Sequence, residues 1–310
     1  MRAVILASPR PSIWKPRLIE DAAGLWDVTW LSDVTATRRI EQACQGADLL
    51  IWLATRGRRP QGDAEAMLRR LEAGGTCTVG IHLDLYWGLR RRERRIGASP
   101  WWTCQWICTP DGHERDWAGR GVSHVWMPPA VGTGQVGVGR RRPELACDVA
   151  FVGVRRHHPE WTDYRVRLID ELARRYGRRF RWYGPGSPHG TVTGQDLADL
   201  CASAKVVVGD SCNPGFSVRR YWSDRVPLML AHGAALVHPA VVGMGPAGFV
   251  NGRTLRTYPF GDFDRLAAVV DELIDDPAQR ERLGTAGMRL VAERHTWAVR
   301  LREVAAAVGL

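Results

Sequence analysis

Short apolar runs alternate with amphipathic stretches along the first part of the chain. Alternation of this kind is typical of a parallel sheet covered by helices. The predicted strands lie at 2–8, 26–31, 47–53, 76–83, 103–109 and 123–129. The predicted helices between them lie near 15–24, 36–46, 62–74 and 111–119.

A second alternation follows the glycine-rich stretch 130–145, which has no hydrophobic period and therefore predicts an interdomain linker. Its predicted strands are 147–154, 179–184, 204–211, 234–240 and 253–259, and its predicted helices are 160–176, 195–203, 219–232, 262–275 and 277–294. We therefore expect an α/β protein with two Rossmann-like, doubly wound domains facing a central cleft that holds the ligand. The expected segments are an N-terminal domain at 1–132, a linker at 133–146, a C-terminal domain at 147–294 and a helix at 295–310 that crosses back to the N-terminal domain.

Composition narrows the class of protein. The chain has 310 residues, 45% hydrophobic and 25% charged, which is typical of a globular protein with two domains. No apolar run approaches the roughly 20 residues of a membrane span, and the first residues are too short an apolar stretch for a secretory signal. The seven cysteines lie mostly in apolar runs, which favours reduced, buried thiols and a cytoplasmic protein. Cys104 and Cys108 are the closest pair, but nothing near them completes a zinc motif.

Positive charge is concentrated in the middle of the chain. Residues 86–181 carry 19 basic and 10 acidic side chains, and nearly all of the net charge of +10 arises there. The densest runs are 90–95, 140–142 and 174–181. Such a local excess indicates a polyanionic partner.

The segment from about 204 to 302 resembles the C-terminal domain of GT-B glycosyltransferases, especially the branch of the spore-maturation protein CgeB and many phage-encoded glycosyltransferases. The matching motifs are VVVGDS (206–211), YWSDRVPLMLAHGAALVHP (221–239), LRTYPFGDFDRLAAVVDELIDDPAQRERLGTAG (255–287) and RHTWAVRLREV (294–304). The resemblance implies a GT-B fold, a nucleotide-diphosphate sugar such as a UDP- or GDP-sugar as co-substrate, and no bound metal. For a phage-encoded protein, it implies the cytoplasm of the host cell.

The start of one predicted helix suits a diphosphate. Ser223, Asp224 and Arg225 open the helix that ends at 232–233, and a helix start offers backbone N–H groups and a positive dipole end. Arg225 is the candidate for the pyrophosphate because its fork can hold two phosphate oxygens, and Ser223 would supplement it. The alternative is that Asp224 only caps the helix and Arg225 is a solvated surface charge.

Other candidate donor residues lie where predicted strands end. Gly153, Tyr183 and Gly184 follow two such strands, and glycine there would let the backbone approach a ligand or would simply make a tight turn. The remaining candidates, expected to touch base, ribose or sugar or, for the tyrosine, to lie in the core, are Asp210, Ser211 and Tyr258.

One position departs from the family pattern. Relatives often hold the nucleotide ribose with a Glu five residues before the glycine of the helix end, and this chain has Leu228 there. The resemblance therefore leaves the donor identity open, and it leaves open whether the anomeric centre is inverted or retained.

On the acceptor side, Asp84 follows the strand TCTVGIHL and is the best candidate for the general base. His82 lies two residues earlier on the same face, so that one of the two could be the base and the other its orienter. The alternative is that Asp84 caps a following helix and His82 is a core histidine. The residues after Asp84 mix arginines with aromatic rings, which is typical of nucleic-acid surfaces. The candidate contacts to DNA are Arg90, Arg91, Arg92, Arg94, Arg95, Trp87, Trp14 and Lys15.

These features predict a glycosyltransferase whose acceptor is a hydroxymethylated base in double-stranded DNA. Two alternatives remain. The first is a GT-B enzyme that acts on a small molecule, a cell-surface glycan or a protein. The second is a non-catalytic nucleotide- or DNA-binding protein on the same scaffold.

Overall fold

The computed structural model describes residues 1–9, 14–54, 58–83, 100–110, 112, 114–155, 163–211 and 220–310. The chain forms two compact units. The first comprises Met1–Pro128 together with Trp297–Leu310, and the second comprises Pro129–Thr296. Asp84, Trp87 and the arginines between 90 and 95 lie outside the described residues.

The first unit is built on a parallel sheet of six described strands in the order β2-β1-β3-β4-β5-β6. The strands are β1 (Arg2–Ala7), β2 (Asp27–Ser32), β3 (Leu49–Leu53), β4 (Cys77–Ile81), β5 (Trp106–Thr109) and β6 (Ser123–Trp126). The helices are α1 (Lys15–Leu25), α2 (Thr37–Ala43), α3 (Ala64–Ala73) and α4 (Glu114–Ala118). Every residue of β3 is buried, which explains why this strand reads as an unbroken apolar run.

The chain's last helix belongs to the first unit, as the sequence predicted for a helix that returns there. This helix, α10, spans Trp297–Ala307. Its first turn contacts α1, because the backbone N–H of Ala298 donates to Asp21 Oδ2 at 3.0 Å. Arg300 Nε donates to the carbonyl of Pro128 at 3.2 Å.

The second unit contains a parallel sheet of five described strands in the order β11-β10-β9-β7-β8. The strands are β7 (Cys147–Val152), β8 (Phe180–Tyr183), β9 (Ala204–Val208), β10 (Leu236–Pro239) and β11 (Arg256–Tyr258). The helices are α5 (Tyr164–Tyr176), α6 (Gly194–Ser203), α7 (Arg225–Ala231), α8 (Phe263–Asp275) and α9 (Pro277–Arg294). Two parallel α/β domains were predicted, and the structure confirms them.

The glycine-rich stretch between the predicted domains is fixed to the second unit. The backbone N–H of Gly137 donates to the carbonyl of Ala231 at 3.0 Å, and that of Arg140 donates to Asp199 Oδ1 at 2.8 Å. Gly139 lies so close to α6 that an added Cβ would be 2.2 Å from the carbonyl carbon of Ala198. Glycines in this stretch therefore serve close packing.

None of the described helices is long and apolar enough to cross a membrane. The cysteines within the described residues carry free thiols, and most are buried. Burial raises the pKa of the Cys44 and Cys201 thiols to about 12. Such thiols remain protonated at neutral pH and are poor nucleophiles.

Candidate functional site

Arg225 begins helix α7 and reaches the carboxyl end of β7. Its Nη1 donates a hydrogen bond to the carbonyl of Val152 at 3.2 Å. Its Nε is buried and, within the described part of the chain, has no hydrogen-bond partner. A buried guanidinium donor without a partner is costly, which points to a ligand that would accept its hydrogen bonds.

Gly153 makes room for this guanidinium. A Cβ at this position would lie 2.1 Å from Nη1 of Arg225, so the guanidinium could not stay where it is. The backbone of Gly153 also has a φ of +147°, a conformation that L side chains rarely adopt. Both observations explain why glycine follows β7, and the first shows that the position of Arg225 depends on it.

Gly184 has a different reason to be glycine. Its Cβ would lie 2.2 Å from the carbonyl oxygen of Gly153, and that oxygen accepts a hydrogen bond from Trp182 Nε1 at 2.7 Å. The geometry therefore favours a packing role for Gly184, which holds the turn after β7 in place.

Replacing Gly153 with Ala is expected to displace the Arg225 guanidinium and to weaken the binding of a diphosphate ligand by about tenfold, the effect of one lost charge-assisted hydrogen bond. Calorimetry with UDP measures this change. Gly186→Ala is the matched control, because Gly186 has a φ of +80° but open space around its missing Cβ. Equal losses of affinity in both variants would contradict this role of Gly153.

Asp210 lies at the carboxyl end of β9 and is fully buried. Arg165, on the buried face of α5, donates from Nε to both carboxylate oxygens at 3.0 and 2.9 Å, and from Nη1 to the carbonyl of Val154 at 3.1 Å. Burial alone would raise the pKa of Asp210, but the charges of Arg165 and Arg225 hold it below its usual value. Asp210 is therefore a structural anion beneath the site, and this geometry does not favour the predicted direct contact with base, ribose or sugar.

Ser211 links His238 to the backbone of Ser223. The ring Nδ1 of His238 lies 2.7 Å from the carbonyl of Pro239, which can only accept, so Nδ1 carries the proton. Nε2 must then accept from the Ser211 hydroxyl at 2.9 Å. Ser211 Oγ accepts in turn from the backbone N–H of Ser223 at 2.9 Å. This chain of hydrogen bonds holds the residues just before Arg225.

The network has one protonation state at neutral pH, because burial lowers the pKa of His238 to about 4. The unfolded state takes up a proton near pH 6.5 and the folded state only near pH 4, so stability is expected to fall as the pH drops through this window. A pKa shift of this size lowers the free energy of unfolding by about 3 kcal/mol at most, at roughly 1.4 kcal/mol per pKa unit. Urea unfolding of the wild type and of His238→Gln between pH 4 and 7 measures it. The difference in unfolding free energy should shrink as the pH falls, and a constant difference would contradict the assignment.

The remaining donor candidates occupy other surroundings. Tyr258 is buried and its hydroxyl lies 2.7 Å from that of Tyr164, which favours the core reading. Tyr183 is also buried, with its ring 5.7 Å from that of His189. Asp224 precedes α7 without a side-chain capping bond, so the structure gives no support to a role as N-cap.

The described acceptor-side candidates lie in the first unit. His82 is buried after β4, with its ring centroid 5.3 Å from that of Trp101. Trp14 packs against Trp297 of α10 at 5.8 Å, and Lys15 is only 6% exposed. Burial of this kind favours packing and internal electrostatics at these two positions over contact with a phosphate. The predicted roles of Asp84, Trp87 and the arginines between 90 and 95 stay predictions.

Many arginines of the two described basic runs are paired internally. Arg142 pairs with Glu144 and Asp196, both at 2.8 Å. The run 174–181 contains further pairs: Arg174 with Glu171, Arg175 with Asp271, and Arg179 with Asp148. Among the partners named, only Asp196 and Asp271 lie outside residues 86–181, so these two lower the excess that the linear count gives.

No group of three or more His, Cys, Asp or Glu side chains is placed to hold a metal ion within the described ranges. Positive charge near the carboxyl ends of β7 and β9 comes instead from Arg165 and Arg225.

Each of the two units has a parallel α/β fold, as expected from the resemblance to GT-B glycosyltransferases. Comparison with known proteins agrees. Residues 156–306, just under half of the chain, match the family model described as "Glycosyl transferase-like". The match covers most of the second unit and extends into α10.

Solved structures align over the whole chain. An alpha-glucosyltransferase in complex with UDP and a 13-mer DNA containing a central A:G mismatch aligns with a TM-score of 0.69 at 10% identity, covering 100% of this chain and 99% of that one. Anabaena Alr3699/HepE, in complex with UDP and glucose, aligns with a TM-score of 0.67 at 10% identity, covering 100% of both chains. At these identities the likeness shows the fold, which is GT-B.

One characterised relative matches in sequence. The MMP alpha-(1->4)-mannosyltransferase of Mycolicibacterium hassiacum is 32% identical over 108 residues, which cover 34% of this chain and 24% of the relative. The match thus spans about a quarter of the length of that protein.

Proposed function

We propose that this protein is a glycosyltransferase that moves a sugar from a nucleotide-diphosphate sugar to a hydroxyl acceptor. The observation that carries the proposal is the Arg225 guanidinium, which begins a helix, lies against Gly153 and has a buried Nε without a partner among the described residues. Linked phosphates would accept its hydrogen bonds and complement the positive end of the helix.

The reaction explains why a cation belongs there. The acceptor oxygen bonds to the anomeric carbon, the bond from that carbon to the phosphate oxygen breaks, and the diphosphate leaves with the electron pair. Arg225 would stabilise the negative charge that grows on the diphosphate. The acceptor proton passes to a base, for which Asp84, oriented by His82, remains the sequence-based candidate.

UDP is the first nucleotide to test, because three solved structures of two proteins with the same fold contain UDP or UDP-glucose. None of the described Arg225 contacts distinguishes bases. Calorimetric titration with UDP, GDP and ADP compares the nucleotides directly. Hydrolysis and transfer assays with the matching nucleotide sugars, with and without EDTA, then identify the sugar and any need for a metal. A folded protein that binds none of the nucleotides would contradict the proposal.

A hydroxymethylated base in DNA is the acceptor that we propose first. The proposal is supported by the excess of basic residues in 86–181 and by the similar fold of an alpha-glucosyltransferase solved with DNA. Incubation with duplexes containing 5-hydroxymethylated pyrimidines, followed by nucleoside mass spectrometry, tests it. Gel-shift titrations against salt provide the control, since only a polyanion binder has a steep salt slope.

A small molecule, glycan or protein acceptor is the second candidate. The internal pairing of Arg142, Arg174, Arg175 and Arg179 favours it, because paired arginines contribute less to binding phosphates. Sugar transfer to methyl glycosides, together with a flat salt dependence, would favour this acceptor class over DNA.

A further inference from the structure

Four polar side chains converge at the carboxyl edge of the first unit's sheet. Ser8 directly follows β1, Asp33 directly follows β2, Arg58 lies beyond the end of β3, and Lys15 begins α1. The order β2-β1-β3 makes these strand ends neighbours. The strand order reverses direction at β1 and β3, and ligands of open α/β sheets bind at such switch points.

Asp33 is the unusual member of this cluster. It is fully buried, and neither of its carboxylate oxygens has a hydrogen-bond partner in the residues that the structure describes. Its backbone N–H is fixed to the carbonyl of Ala7 at 3.0 Å, so the carboxylate is held at the sheet edge. A buried carboxylate without hydrogen bonds is costly, and a fold that keeps one needs a compensating reason.

Arg58 lies near this carboxylate but does not form a hydrogen bond with it. Its Nη1 lies 3.8 Å from Asp33 Oδ1, too far for a hydrogen bond, and 3.4 Å from Ser8 Oγ, which is a long contact. The Arg58 side chain is about a third exposed, at 32%, so it can turn outward. In the second unit, by contrast, Arg165 lies 2.9 Å from Asp210 and forms a hydrogen-bonded ion pair with it.

The chemistry of the cluster selects its ligand. The free oxygens of Asp33 need a hydrogen-bond donor, while Arg58 needs an acceptor. A phosphate would face the carboxylate with like charge, and an ammonium group would face Arg58 and Lys15 with like charge. A hydroxyl group can donate to the carboxylate and accept from the guanidinium.

We propose that Ser8, Asp33 and Arg58 form a subsite for a hydroxyl group of the acceptor, with Asp33 accepting its hydrogen bond and Arg58 donating one to it. Entry of the hydroxyl requires Arg58 to turn outward from its present position. This inference rests on the proposed function, because that reaction consumes a hydroxyl acceptor. Asp33 is thus retained for binding at a cost in stability.

The test compares Asp33→Asn with Asp27→Asn. Both replace the carboxylate of an Asp beside β2, but Asp27 is exposed at the amino end of that strand. Two acceptor probes, a methyl glycoside series and a duplex with 5-hydroxymethylcytosine, distinguish a sugar hydroxyl from a base hydroxymethyl group. UDP affinity and thermal unfolding are measured on the same samples.

We expect Asp33→Asn to raise the KM for whichever of the two probes accepts the sugar. The increase should be about tenfold or more, the effect of one lost hydrogen bond to a charged group. Its UDP affinity should stay within about twofold of the wild type. Its Tm should rise by about 2–4 °C at pH 7, since a buried carboxylate without hydrogen bonds has been removed. Asp27→Asn should change none of these quantities.

The pH dependence of Tm tests separately whether the buried carboxylate of Asp33 is held at a cost in stability. Burial raises the pKa of Asp33 against the opposing charges of Arg58 and Lys15. The folded state therefore binds this proton more tightly than the unfolded state, and the charged form is destabilising above the folded pKa. The Tm advantage of Asp33→Asn should accordingly shrink as the pH falls toward 3.8, the pKa of an unperturbed Asp.

Two results would overturn the subsite: a lower Tm for Asp33→Asn at pH 7, or unchanged transfer to both probes. Failure of the proposed function looks different, because the wild-type protein would then bind no UDP and transfer no sugar. In that case the Tm comparison still decides whether Asp33 is held at a cost.

Discussion

Replacing Arg225 with Ala is expected to weaken UDP binding by about 10- to 100-fold, because hydrogen bonds to charged groups contribute roughly 1.5–3 kcal/mol each. Within the described part of the chain, the hydrogen bond of the wild-type guanidinium goes to the Val152 carbonyl at 3.2 Å. Arg165 still pairs with Asp210 when Arg225 is removed, so the fold should stay intact. Calorimetry with UDP measures the affinity, and thermal unfolding without ligand measures the stability.

Two controls make this result specific. Arg225→Lys keeps the charge but not the planar fork, and we expect it to recover only part of the affinity. Arg289→Ala removes an arginine that is 79% exposed on α9 and should leave UDP binding unchanged. Wild-type affinity in Arg225→Ala would remove this residue from the donor site and, with it, the main support for the proposed function.

The alternation of apolar runs was sufficient to predict both sheets, because parallel strands covered on both faces leave a strong local signal. Element ends were harder to predict. Helix α7 was expected from residue 219 but begins at Arg225, since Trp222 and Ser223 are buried outside the helix. Tertiary burial of this kind is invisible in a local pattern.

The site residues separate in the same way. Arg225 and Gly153 were predicted from motifs close to them in the chain, and the structure brings the two together. The partner of Asp210 was not predicted, because Arg165 lies 45 residues earlier and no local rule connects them. One signal was present: Arg165 lies on the apolar face of α5 beside Leu168 and Ile169, where an unpaired arginine would not be tolerated.

Asp33 illustrates a further limit of the sequence. A single acidic residue after a strand reads as an ordinary turn, and only the complete burial and missing hydrogen bonds distinguish it. Lys15 was predicted, together with Trp14, to contact DNA, yet it is buried and its charge acts on Asp33 within the unit. A residue's neighbours in the chain did not predict its neighbours in space.

The pairing of Arg165 with Asp210 leads to the second large effect. We expect Arg165→Met to weaken UDP binding by about tenfold, although Arg165 is buried behind the site. Three side chains act on the pKa of the fully buried Asp210: Arg165, Arg225 and His238. His238 is neutral at pH 7, so Arg225 is the cation of this set that remains when Arg165 is removed. The guanidinium of Arg225 should then be drawn toward the carboxylate and away from the diphosphate.

This variant should also lose about 3–5 kcal/mol of stability, the usual effect of leaving one member of a buried pair uncompensated. Affinity is therefore measured well below its midpoint of thermal unfolding, on samples whose circular dichroism matches the wild type.

The double variant Arg165→Met/Asp210→Asn separates charge from packing. It removes the anion that would capture Arg225, so UDP affinity should return to within about threefold of the wild type, and part of the lost stability should return as well. If Arg165 served only to pack α5 against the sheet, the second substitution would add damage instead of restoring binding. A double variant that binds UDP no better than Arg165→Met would therefore show that Asp210 does not compete for Arg225, and that the cation at the start of α7 is held in place by other contacts.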